Sequence, residues 1–104
     1  AKLFEKAAAH GLAPAQYRIG SAYEKGIGVP RDLALAKAWY HRAAEQGNAR
    51  AMHNLGVLLA EGGGAKADYA GAVEWFRQAA EHGVRDSQFN LAVLLARGMG
   101  VTQD

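Results

Sequence analysis

The chain has 104 residues, 50% of them apolar, a formal net charge of +2 and no cysteine. That length supports one small domain with a continuous core, and the apolar share excludes a disordered tail. A charge this close to balance, with its basic residues scattered, does not suit a nucleic-acid or polybasic membrane binder; the lack of cysteine excludes disulfides and thiolate chemistry.

No apolar run reaches the length of a membrane helix. There is no signal-peptide pattern and no initiating methionine, so these residues carry no address of their own. A cysteine-free chain can sit on either side of a membrane, and the compartment stays open.

Residues 2–10 read as an amphipathic helix with Leu3, Phe4, Ala7 and Ala8 on one face, stopped by Gly11. Pro14 then opens a second helix over 15–25, where Ala15, Ile19, Ala22 and Tyr23 recur at helical spacing. Gly20 lies on that stripe, and is expected to admit a neighbouring backbone. Gly26-Ile27-Gly28-Val29-Pro30-Arg31-Asp32 is a loop, in which Ile27 and Val29 are expected to plug the gap between helices. Asp32 is a good N-cap for a helix over 33–46.

The next stretch repeats this one. Ala36-Lys37-Ala38-Trp39-Tyr40-His41-Arg42-Ala43-Ala44-Glu45-Gln46-Gly47 returns 36 residues on as Ala72-Val73-Glu74-Trp75-Phe76-Arg77-Gln78-Ala79-Ala80-Glu81-His82-Gly83. A fixed period of this size marks a stacked repeat, whose helix pairs are too small to bury an apolar face alone. The alignment needs no gaps: residues 1–14 are the second half of a unit, 15–50 and 51–86 are full units, and 87–104 are the first half of another. A longer array is therefore expected. The loop Gly62-Gly63-Gly64-Ala65-Lys66-Ala67-Asp68 keeps the flanking glycines and the aspartate cap but loses both apolar plugs, so it is expected to be the most mobile internal segment. The fold class is all-α: an α-solenoid of stacked antiparallel helix pairs in 36-residue repeats, six helices in a right-handed superhelix.

Each unit has an A helix followed by a B helix. Trp39 and Trp75 read as core pegs between units; an exposed platform for a sugar or peptide is the alternative. The pairs Ala43-Ala44 and Ala79-Ala80 are small enough for helix B to nest on the next helix A. Gly47 and Gly83 suit a left-handed C-terminal turn.

The pattern running through Ile19-Gly20, Tyr23, Gly26, Gly28, Val29, Asp32, Ala36, Trp39, Tyr40, Ala43, Ala44 and Gly47 resembles the Sel-one-like repeat family, a relative of the tetratricopeptide repeats. The resemblance covers the whole sequence. Departures are Ile19 in place of leucine, Gly63 and Ala65 in the second loop, and Ala92 at the helix-A glycine position. The Ala/Gly/Arg-rich texture is further similar to the periplasmic repeat arrays of alphaproteobacterial polar organelle development proteins. That likeness implies a periplasmic organiser at the bacterial cell pole whose repeats recruit other proteins.

Catalytic and metal chemistry find little support. No two histidines share an i, i+3 or i, i+4 spacing, so a helical zinc pair is not expected. His10 and His82 end their B helices and suit the helix dipole, while His41 belongs to a solvated face. Gly26-Ile27-Gly28 and Gly62-Gly63-Gly64 lack the strand or the Gly-Lys-Ser/Thr that a phosphate cradle needs. Neither cofactor nor metal is expected, and the chain does not read as an enzyme.

In the related arrays helix A lines a concave groove. Carried over, this implies three columns: Tyr17, His53, Phe89; Arg18, Asn54, Asn90; and Ser21, Val57, Val93; with Arg50 and Arg97 (and Glu24) along the edges. Aromatic and amide columns side by side suit an extended peptide. For Asn54 and Asn90 the alternative is a bond to a neighbouring helix backbone. The leading expectation is a non-enzymatic scaffold that binds a protein or peptide in this groove. A peptidoglycan or other glycan-binding module is the rival, and a hydrolase a weaker one. Self-association through the ends is also expected, through Leu3 and Phe4 at one end and Leu91, Leu94, Leu95 and Met99 at the other.

Overall fold

The computed structural model describes residues 11–62 and 66–98. Five helices fall in that range: α1 Ala13–Lys25, α2 Leu33–Glu45, α3 Ala49–Glu61, α4 Tyr69–Glu81 and α5 Arg85–Ala96. There is no strand among the described residues. The expected helix over 2–10 and residues 63–65 of the second glycine loop lie outside them, as does Met99. The all-α solenoid is therefore observed, with equivalent helices starting 36 residues apart.

The boundaries have local causes. Pro14 occupies the first turn of α1, where no backbone donor is needed. Asp32 and Asp68 cap α2 and α4, their carboxylates accepting from Leu35 N at 3.0 Å and Gly71 N at 2.9 Å. Asn48 does the same for α3, accepting from Ala51 N at 2.9 Å. At the far ends Gly26 and Gly47 take the left-handed conformation, at φ 68° and 91°.

Consecutive helices pack antiparallel, and the chain folds into two layers. Side-chain bonds join α1 to α3 and α3 to α5, while α2 and α4 flank a second groove floored by Leu55 and Leu59 of α3. The principal core holds Ala36, Tyr40, Ala43 and Ala44 of α2, Ala51, Met52, Leu55 and Leu58 of α3, and Ala79 of α4. Ala43 and Ala44 nest as expected against α3, the following helix A; of the second pair Ala79 is buried in the same core and Ala80 is half-buried.

Three packing expectations need correction. The buried pegs are Tyr40 and Phe76, at 0% and 2% exposure; Trp39 and Trp75 are only half-buried beside them. Trp39 carries Arg42 at 4.7 Å from its ring centroid, and Trp75 meets His41 edge-on. The reason is angular. Ala36, Tyr40, Ala43 and Ala44 follow the i, i+4, i+7, i+8 rhythm of one helix face, and Trp39 stands at its margin. Secondly, Gly20 admits a ring and not a backbone: a Cβ there would lie 2.7 Å from Cδ1 of Tyr40, and at Gly56 it would lie 2.7 Å from Cε1 of Phe76. Thirdly, Ile27 is 65% exposed and plugs nothing, while Val29 is half-buried. At the far end Leu94 is buried against Ala72, Val73 and Phe76, so it is shielded within the chain. Leu95 remains exposed and Leu91 half-buried.

Candidate functional site: the face of the α1–α3–α5 layer

A helix A in this stack uses one stripe for the core and leaves its other residues to the open face of its layer. In α1 the stripe is Ala15, Gln16, Ile19 and Gly20, which leaves Tyr17, Arg18 and Ser21 outside it. In α3 it is Ala51, Met52, Leu55, Gly56 and Leu58, which leaves His53, Asn54 and Val57. In α5 only Ser87 and Leu94 are buried, which leaves Phe89, Asn90 and Val93. Arg18, Arg50, Phe89 and Arg97 are exposed; Tyr17, Ser21, His53, Asn54, Val57, Asn90 and Val93 are half-buried.

The first part of this face is a polar network. Tyr40 of α2 reaches through from the second layer and donates its hydroxyl proton to Glu24 Oε1 at 2.6 Å. Burial pushes the Tyr40 phenol far above its ordinary range, and Glu24 reinforces the shift; Asn54 and Ser21, bonded to the same hydroxyl, partly offset it. Asn54 Nδ2 also lies 3.5 Å from the Tyr17 hydroxyl, and the Tyr17 and Tyr40 rings sit 5.7 Å apart. Asn54 thus bonds side chains across α1 and α2. A backbone partner was the expected alternative. The network orders Tyr17 and Asn54 before any ligand arrives.

The second part is apolar. Phe76 replaces Tyr40, and Val57 and Ala60 stand where Ser21 and Glu24 stood. His53 lies over the Phe76 ring at 5.7 Å, and its Nδ1 meets Ser87 Oγ of α5 at 2.6 Å. Burial lowers the His53 pKa, and the Asp86 carboxylate partly opposes this, so the ring is neutral near pH 7. Sequence reasoning missed this pair, whose members stand 34 residues apart. The signal available was polar Ser87 at a repeat position otherwise held by Ala15 and Ala51. A histidine bonded to a serine invites a nucleophile–base reading. Ser87 is fully buried, however, so its Oγ is a packing contact closed to an external substrate.

Next to α1 lies a cavity of about 690 Å³, lined by Tyr17, Arg18, Ser21, Asn48 and Arg50, with Ile27 and Val29 among its apolar walls. Four of the sequence-derived site residues meet there. His53, Asn54 and Val57 follow on α3, and Phe89, Asn90 and Val93 on α5; Arg97 is the residue immediately after α5. Among the described residues there is no cluster of three or more metal-ligating side chains.

Equivalent helix pairs repeating every 36 residues, each glycine of an A helix seating an aromatic of its B helix, define a helical-repeat protein of solenoid type. The Sel1 repeat pattern matches residues 1–12, 13–48, 49–84 and 85–104, and the chain belongs to the Sel1 repeat family. Chains of this family are in general non-catalytic modules that bind protein partners. A protective antigen of uropathogenic Escherichia coli with an SLR fold is 39% identical, with a TM-score of 0.89 over 99% of this chain and 22% of its own. A Sel1 repeat protein of Oxalobacter formigenes is 36% identical, with a TM-score of 0.84 over 92% of this chain and 40% of its own. A chitin synthase regulator of Malassezia restricta is 55% identical over 38 residues, which is 36% of this chain and 3% of that protein. The chain thus spans less than half the length of each of these relatives.

Proposed function

We propose that this chain is the recruiting segment of a non-catalytic scaffold, which holds a protein or peptide partner in the concave groove of the α1–α3–α5 layer. The observation that carries this reading is a line of side chains that stays at least partly open on one face, Phe89 and Arg50 exposed and Tyr17 and His53 held in place by the fold. Phe89 is 69% exposed, Arg50 is exposed, and Tyr17 and His53 lie between core and surface on the same face. A monomer gains nothing from an exposed aromatic of that size, and aromatic and arginine side chains are the usual anchors of protein interfaces. The finer part of the proposal places this activity in the periplasm at the bacterial cell pole. The Ala/Gly/Arg-rich repeat texture supports it.

The test is site-specific photo-crosslinking in cells that express the full-length protein. A crosslinker at Phe89 should trap a discrete protein partner, while one at exposed Glu74 of α4, on the opposite layer, should not. Arg50→Glu should abolish the Phe89 adduct. Equal trapping from both faces would contradict the groove. Retention on purified cell-wall sacculi, lost with the same substitution, would replace the protein partner by a glycan. An even distribution of a fluorescent fusion around the cell would remove the polar part.

A further inference from the structure

The open face of the α1–α3–α5 layer is not uniform along its length. At its α1 end the cavity holds Arg50 and Asn48. Asn48 commits its side-chain oxygen to Ala51 N, so what it can offer a ligand is its amide N–H groups. Arg50 makes no ion pair among the described residues. Glu24 is not part of the cavity lining, and one oxygen of its carboxylate is held by the Tyr40 hydroxyl. This end therefore presents donors and positive charge. Toward α5 the positions equivalent to Ser21 and Glu24 become apolar, Val57 and Ala60, then Val93 and Ala96, with Phe89 projecting beside them. The position of Arg50 is taken there by exposed Asp86, which disfavours a carboxylate at that end.

We infer that the groove sorts its ligand by polarity and spacing. Taking the concave face as the binding face, its occupant is an extended peptide with a carboxylate that meets Arg50 and Asn48, and an apolar side chain that packs on Phe89 and Val93. An arginine beside amide donors suits a carboxylate, and an exposed ring among small apolar residues suits an aliphatic side chain. The separation follows from the stack. Neighbouring A helices touch through side chains, at 3.5 Å between Asn54 and Tyr17 and 2.6 Å between His53 and Ser87. Directly packed helices lie about 8–10 Å apart. The helices α1, α3 and α5 pack on α2 and α4 and meet one another only through side-chain tips, so they stand farther apart, and the cavity between α1 and α3 is more than about 15 Å from α5. An extended chain rises about 3.3 Å per residue, which places the two anchors at least about five residues apart.

The test uses fluorescent peptides in a Ser/Thr background, each with one Glu and one Leu separated by one to eight residues, in both orders. Anisotropy titration of the 104-residue chain should show tightest binding at a separation of about five or more. Arg50→Ala should weaken that peptide about tenfold or more and abolish any further effect of replacing its Glu, while leaving the effect of replacing its Leu intact. Phe89→Ser should do the reverse. Both residues are exposed, and unchanged melting temperatures would confirm that the variants are folded. Binding indifferent to spacing, binding that survives loss of either anchor, or no binding across the series would overturn the inference. If crosslinking at Phe89 still traps a protein partner in that case, only the sorting rule falls and the groove stands.

Discussion

The two full repeats solve the same packing problem with different chemistry. In each, a glycine of helix A seats an aromatic of helix B, with a would-be Cβ 2.7 Å from the ring. In the first repeat the ring is Tyr40, and Ser21, Glu24 and Asn54 gather at its hydroxyl. In the second it is Phe76, and Val57 and Ala60 close over it. One hydroxyl thus goes with a change of character at two surrounding positions, Ser21 to Val57 and Glu24 to Ala60, while Asn54 is matched by Asn90. A buried hydroxyl without partners costs more than the net gain of a made hydrogen bond, so the peg and its neighbours must change together. The consequence reaches the surface: the same substitutions make one end of the candidate groove polar and the other apolar.

The largest effect should come from emptying a seat. Phe76→Ala should destabilise by about 3–5 kcal/mol, read from urea unfolding, and Trp75→Ala should cost less because that ring is only half-buried. A greater loss at Trp75 would restore it as the peg. Filling the seat from the other side comes next. Gly20→Ala and Gly56→Ala should each cost about 1–3 kcal/mol by overpacking. A smaller side chain at the facing position, Phe76→Leu, should recover part of the loss in the second repeat.

Exchanging the pegs tests the comparison itself. Phe76→Tyr places a hydroxyl among Val57 and Ala60 and should cost about 1–3 kcal/mol, with partial recovery when Ala60→Glu is added. Tyr40→Phe should cost about 1 kcal/mol, and less when Ser21→Val and Glu24→Ala accompany it. A double-mutant cycle showing no coupling between Tyr40 and Glu24 would break the argument.

The smallest expected effect is on pH. His53 has a folded pKa lowered by burial, against about 6.5 in the unfolded chain. Above that value both states are neutral and the group contributes nothing. As pH falls through it the unfolded chain binds the proton first, so stability is lost until the folded pKa is passed. His53→Gln should flatten that part of a melting-temperature profile.

Much of the architecture was legible in the sequence. The 36-residue offset, the aspartate caps and the glycine turns each report a local requirement that a single chain reveals. The peg was also written there, in the Ala36, Tyr40, Ala43, Ala44 stripe, but residue size drew attention to Trp39 one position away. Ile27 misled for a related reason: apolar character in a loop does not say which way the loop faces. The bonds of Asn54 to Tyr17 and Tyr40, and of His53 to Ser87, depend on how units stack. Adjacency in the repeat does not encode which side-chain tips meet across it.

The central claim is that this chain engages its partner through the α1–α3–α5 layer. The most direct measurement is a chemical-shift map of the isotopically labelled 104-residue chain, titrated with the partner trapped at Phe89. Tyr17, Arg50, His53 and Phe89 should move, while Lys37, His41 and Trp75, which line the groove between α2 and α4, should stay in place. Shifts concentrated on Lys37, His41 and Trp75, with the other four unmoved, would contradict it.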